Sequence, residues 1–229
     1  MAEAVAVPDL SPTPPGAKKR DYWWTVLATD PVAVPLVGFL ARCRWLTPDQ
    51  VTAIALVSGL AVGAAFATGT RGGLIAGGLL FYAAFLFDCV DGKLARALGT
   101  TSEKGEALDH LADGGRRASA SLGLALWTWR SDDVSDDRIL WVVVYAVLAY
   151  YFIEISRAEK AESPGGVAGR LSGALARRRL LPNPGMPDVQ AVVFILGPIT
   201  GLVVPALGLG IAMVRALRHI SQSGSSLGF

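Results

Sequence analysis

DCVDGKLARALGTTSEKGEALDHLAD, residues 88–113 of a 229-residue chain, sets four aspartates between two long apolar runs. Asp88 and Asp91 are three apart, and Asp109 and Asp113 four apart, so each pair shares one face of a helix. Residues 97–103 read as a turn between them, and in an antiparallel hairpin the two pairs then meet at similar depth. Carboxylates are costly inside a membrane, so four of them on neighbouring crossings call for a function. They would repel one another unless bridged by cations, and hard oxygen ligands suit Mg²⁺ or Mn²⁺, with two ions as the natural load. Gly92 and Gly105 lie one turn from Asp88 and Asp109 and leave room for a ligand to approach, while Arg96 offers a planar fork for phosphate. Carboxylates, cations and an arginine together describe phosphoryl transfer better than ion transport.

The composition around this stretch points to a membrane. With 52% hydrophobic residues, 17% charged residues and a mean hydropathy of +0.44, the chain has too little polar material to coat a soluble globule of its size. A net charge of +2 and the lack of basic runs interleaved with aromatics exclude nucleic acid as a partner. Cys43 and Cys89 are far apart and in no metal spacing, so neither a disulfide framework nor a zinc site is signalled, and both read as small apolar filler.

Residues 1–20, proline-rich and ending in Lys18, Lys19 and Arg20, read as a disordered cytoplasmic tail. The apolar segment after Trp23 and Trp24 is interrupted by Asp30, Pro31 and Pro35, which suits an interfacial helix better than a crossing. From Pro48 onward the apolar runs are long enough to span, and crossings are expected at 49–68, 73–97, 104–129, 138–158, 188–202 and 203–220. Pro198, Gly201 and Pro205 break the last apolar stretch, which leaves five crossings as the alternative count. Lys and Arg alternate in density between successive loops in a way that favours an even number, with both termini in the cytoplasm of a multi-pass cell-membrane protein. The expected class is therefore all-α, six transmembrane helices and an N-terminal interfacial helix, in one domain over 21–222 with a flexible tail at 223–229.

The 88–113 stretch resembles the signature of the CDP-alcohol phosphotransferase family. Asp88, Asp91, Gly92, Ala95, Arg96, Gly105, Asp109 and Asp113 match every fixed position of the family motif at its spacing. At about one in fifteen per position, a chance match at one start is on the order of one in a billion. The resemblance implies a six-helix bundle with a metal site open to the cytoplasm. In it Asp88, Asp91, Asp109 and Asp113 are metal ligands, Asp113 is also the general base, and Gly92 and Arg96 hold the nucleotide. It implies transfer of a phosphoalcohol, phosphatidyl above all, from a CDP-alcohol such as CDP-diacylglycerol to a small polyol or polyol phosphate, with release of CMP.

Within the phosphatidylinositol phosphate synthase branch, the resemblance adds Ser102 as a donor contact. The stretch LTPDQVT, residues 46–52, is similar to the family's entry into the first crossing, where Asp49, Gln50, Val51 and Thr52 would line the nucleotide pocket; Asp49 reads equally well as a helix cap. Ile155-Ser156-Arg157-Ala158-Glu159 resembles the branch's Lys-x-Arg-Ala-Glu element and carries Arg157 into the substrate site, but the lysine is missing, which weakens the case for inositol phosphate as acceptor. A homodimer is a candidate assembly.

Other readings attach to several of these residues. Arg117, one turn beyond Asp113, is expected either to hold the acceptor's anion or to pair with Asp113 or Glu154. His110 points about 100° away from its aspartate neighbour and is expected to pack. Arg177, Arg178 and Arg179 read as a topology and lipid-surface signal. Two rival functions use the same chemistry: an intramembrane prenyltransferase, whose aspartate motifs would lie far apart in the chain, and a cation transporter. Metal-dependent release of CMP separates both from phosphoalcohol transfer.

Overall fold

A computed structural model describes residues 14, 16–131, 140–142, 144–148, 175, 178–181 and 183–225. These residues form helices: α1 (Thr25–Cys43), α2 (Pro48–Phe66), α3 (Arg71–Leu98), α4 (Glu103–Arg130), α5 (Met186–Thr200) and α6 (Val203–Ser225). Residues 140–142 and 144–148 are also helical, while the remainder of the crossing expected at 138–158 lies outside the described residues, as does Arg157. Among the described residues there is no strand, only an isolated bridge between Asp21 and Leu180.

Three of these helices, α1, α2 and α3, are long and apolar enough to cross a membrane, and α5 and α6 are shorter apolar helices. α1 departs from the expectation of a broken segment, because Thr25–Thr29 form a wide π-turn that runs straight into the α-helical Asp30–Cys43. Pro31 sits in the first turn of that α-helical part, where the helix tolerates it, and Pro35 removes one backbone bond without ending the helix. α4 coincides with the expected crossing at 104–129, but its N-terminal half carries most of its charged residues. The last apolar stretch divides at Gly201, and α6 continues to Ser225, three residues past the boundary expected for the tail. Arg71 caps the end of α5 by donating to the carbonyls of Pro198 and Ile199.

Local sequence explains where the site helices begin. α2 starts with a capping box in which Gln50 N donates to Thr47 Oγ1 (3.3 Å) and Thr47 N donates to Gln50 Oε1 (2.9 Å), with Pro48 next. Thr70 caps α3 by accepting from Gly73 N, and Ser102 caps α4 by accepting from Gly105 N at 3.0 Å.

Two apolar clusters lie behind the hairpin. Ala33, Val37 and Leu40 of α1 meet Val51 of α2 and Val90 and Leu94 of α3. A larger cluster joins Phe66, Phe81, Leu124, Phe194 and Leu207, among others, from α2 to α6. Leu27, Val57, Leu79, Leu122 and Leu209 point outward, as a lipid-facing surface requires.

α2 and α4 touch through small residues, the usual route to close packing where lipid removes the hydrophobic drive. Ser119 Oγ donates to Leu60 O at 2.8 Å and accepts from Gly63 N at 3.2 Å. A Cβ on Gly123 would lie 2.5 Å from Gly63 O and 2.6 Å from its Cα, and backbone cannot yield. Gly123→Ala should therefore destabilise the protein by about 1–3 kcal/mol. The check is unfolding in detergent, where a midpoint equal to the parent's would mean that these helices do not meet at Gly123.

A buried ionic network ties the chain's N-terminal part to the hairpin. Asp30 of α1 pairs with Lys93 Nζ of α3 (3.0 Å) and Arg179 Nη1 (3.0 Å), all three buried. Arg179 also donates to the Lys18 carbonyl at 2.9 Å, so it is a structural tie rather than the lipid-surface signal expected of it. Of the stretch read as a disordered tail, residues 16–20 lie on the folded body: Gly16, at φ 74°, leaves no space for a Cβ against the Lys93 carbonyl, and its own carbonyl accepts from Arg96 Nε at 2.7 Å.

Candidate active site

The hairpin brings the two aspartate pairs together as the spacing predicts. Asp88 lies within electrostatic reach of Arg116, Asp113, Asp109 and Asp91, and Asp91 within reach of Asp109. Asp91 is 3% exposed, and neither of its carboxylate oxygens has a hydrogen-bond partner. Asp88 Oδ1 is likewise buried, with only a 3.5 Å ion pair to Arg116 Nη1. Asp113 is held on both oxygens, Oδ1 by Arg116 and Oδ2 by Arg117 Nη1 at 2.7 Å. Of the partners expected for Arg117, Asp113 is in contact; Glu154 lies outside the described residues.

Buried carboxylate oxygens without donors are what a hard divalent cation would satisfy, since a charge left unpaired in low dielectric is strongly disfavoured. The donor set thus fits a metal. Among the described residues no three acidic, His or Cys side chains close on a single metal-sized point in this conformation. In the same conformation Asp113 is engaged by Arg116 and Arg117.

The surrounding residues fall into two groups. Arg96 folds back over Gly92, where a Cβ would lie 3.4 Å from Nη1, while its Nε donates to the Gly16 carbonyl. Asp49 Oδ1 reaches the N-terminus of α4, 3.8 Å from where a Cβ on Gly105 would stand. Asp49 is not the cap of α2, a role that Thr47 fills. Thr52 stands beside Asp91 and donates to the Pro48 carbonyl at 3.0 Å.

Other expected contacts are spent elsewhere. Val51 is fully buried between α1 and α3 and offers no side chain to a pocket. The Gln50 side chain and the Ser102 hydroxyl serve as helix caps. His110 is about half exposed and stands 3.7 Å from Glu106, so it does not pack as expected. Cys43 is exposed rather than filler.

The residue that sequence reasoning undervalued is Arg116. It is 1% exposed, contacts Asp88 and Asp113, and lies over the rings of Phe81 and Phe85 at 5.4 and 5.3 Å. The available signal was its place three residues after Asp113, on the same face.

A family model described as CDP-alcohol phosphatidyltransferase matches residues 45–214. Three crystal structures of the Mycobacterium tuberculosis phosphatidylinositol phosphate synthase PgsA1 are similar in fold. The apo form has a TM-score of 0.53 at 20% identity, covering 81% of this chain and 94% of that one. The complex with manganese and citrate has 0.51 at 21%, covering 83% and 89%. The form with CDP-DAG bound has 0.51 at 20%, covering 83% and 94%. A search of curated proteins finds no match. The family match spans the whole carboxylate hairpin and most of the chain, and on that ground this chain is a phosphotransferase belonging to the CDP-alcohol phosphatidyltransferase family.

Proposed function

We propose that the enzyme transfers a phosphatidyl group from CDP-diacylglycerol to a hydroxyl of a small polyol or polyol phosphate, releasing CMP. The observation that carries this reading is Asp91, buried with no hydrogen bond on either oxygen, in one hairpin with Asp88, Asp109 and Asp113. Family membership supports the reaction class over a prenyltransferase or transporter. The similar synthase has been solved with CDP-DAG and with manganese, which supports the same donor and a divalent ion here.

In this reading Asp88, Asp91, Asp109 and Asp113 hold two Mg²⁺ ions, with Mn²⁺ as a substitute. When bound, the ions would offset the negative charge that develops on the departing CMP and on the attacking oxygen. Arg96 and Gly92 receive the donor phosphates, the arginine by its fork and the glycine by leaving space. Asp49 and Thr52, at the start of α2, and Ser102, at the start of α4, complete the donor pocket in this reading. Asp113 takes the proton from the acceptor hydroxyl; the hydroxyl oxygen bonds to the lipid-bearing phosphorus as that phosphorus parts from CMP. Six crossings with both termini in the cytoplasm would open the site to soluble acceptor and CMP. The missing lysine before Arg157 argues against inositol phosphate.

The test is CMP release by purified protein in nanodiscs given CDP-diacylglycerol and a panel of polyols and polyol phosphates. Release that needs an acceptor and a divalent ion is expected. No release with any acceptor, under conditions where Mn²⁺ binds, would overturn the assignment of donor.

A further inference from the structure

We infer that Arg116 is a positioning residue, a permanent buried cation that joins the two aspartate pairs and fixes the carboxylate of Asp113; the inference rests on the reading of the aspartates given above. Three helices build its socket. α4 supplies Arg116 and Asp113, α3 supplies Asp88 and the rings of Phe81 and Phe85, and α2 passes so closely that a Cβ on Gly59 would lie 2.8 Å from Arg116 Cβ. Phe81, Phe85 and Asp88 recur at helical spacing on α3, so one stripe of that helix offers two ring contacts and then a carboxylate. The aromatic contacts favour a cation there, and the planar guanidinium reaches both helices from one position.

The arrangement assigns different work to the aspartates. Asp91 has no ion pair and no well-formed hydrogen bond on either oxygen, only Thr52 and the Gly92 N–H nearby, whereas Asp113 is held on both oxygens by arginines. Arg116 is sealed from solvent and braced by the rings of Phe81 and Phe85. It therefore does two things of opposite sign: it orients Asp113 for the acceptor hydroxyl, and it reduces the negative potential that attracts divalent ions. A residue that merely held the helices together would not separate these effects.

The experiment measures Mn²⁺ affinity by electron paramagnetic resonance without substrate, and kcat and KM for the CDP-donor, on the same detergent-purified preparations. Arg116→Gln is expected to bind Mn²⁺ more tightly, by at least about fivefold, because a positive charge has left the site. Its turnover is expected to fall by at least about 30-fold, because Asp113 has lost a fixed partner. Arg116→Lys keeps the charge but not the fork; its Mn²⁺ affinity should stay within about threefold of the parent's and its kcat fall by at least about tenfold, with donor KM little changed.

Weaker Mn²⁺ binding together with lower turnover in Arg116→Gln would overturn the inference, as would parental kcat in Arg116→Lys. If Arg116→Gln does not fold, the lysine variant decides alone. Asp91→Asn, run alongside, tests the aspartate reading itself: undiminished Mn²⁺ binding in that variant would place the failure there and not at Arg116.

Discussion

Asp91→Asn should abolish CMP release, by about 10³-fold or more, while making the metal-free protein no less stable than the parent. The two halves of this expectation come from one observation. Both oxygens of Asp91 are buried without a well-formed hydrogen bond, with only Thr52 and the Gly92 N–H near them, so the ionised side chain is poorly compensated in the metal-free fold, and burying a charge in that state is costly. Asparagine removes that charge with almost no change in shape. A cation that binds only the folded state stabilises it in proportion to the logarithm of its concentration over Kd, so Mn²⁺ should raise the parent's unfolding temperature. The variant should lose that rise. Thermal unfolding with and without Mn²⁺, beside a CMP assay, checks both. A full Mn²⁺-dependent rise in the variant would remove Asp91 from the metal site, and retained turnover would remove it from the chemistry.

What could be read from the sequence was what local spacing controls. The aspartates meet because Asp88 and Asp91 share a face of α3, Asp109 and Asp113 share a face of α4, and the chain between them is a turn closed by the Ser102 cap. What could not be read depends on partners distant in sequence. Asp30 and Arg179 are 149 residues apart, and nothing near either one announces a buried pair. Isolated in sequence, Arg178 and Arg179 look like a surface signal; in the fold Arg179 is enclosed by Asp30 and the Lys18 carbonyl. Val51 was placed in a pocket by its position in LTPDQVT, but helical rotation carries it away from Thr52 and into the contact with α1 and α3. The continuity of α1 was obscured by Pro31 and Pro35, whose cost depends on where the helix begins. Arg116 was visible as a charge near Asp113, but its burial is a property of α2, α3 and α4 together.

Asp113→Asn should keep CDP-donor binding within a few fold of the parent while lowering turnover by roughly 10² to 10⁴. Asp113 differs from the other three aspartates in where it stands. It is four residues further into α4 than Asp109, away from the helix start that Ser102 and Asp49 mark, and its side chain is 28% exposed where Asp91 is closed off. An acceptor hydroxyl arriving from that side meets a carboxylate already oriented by Arg116 and Arg117. The proton must leave as the new oxygen–phosphorus bond forms, and an asparagine amide nitrogen or oxygen in the same position is too weak a base to take it. Asp88, Asp91 and Asp109 remain, as do Gly92 and Arg96, so the donor keeps its contacts. Donor affinity and single-turnover rate, measured on one preparation, separate the roles. If affinity collapses along with the rate, Asp113 serves chiefly as a metal ligand and the base lies elsewhere; if the rate survives, it is neither, and its two arginines hold it for the fold alone.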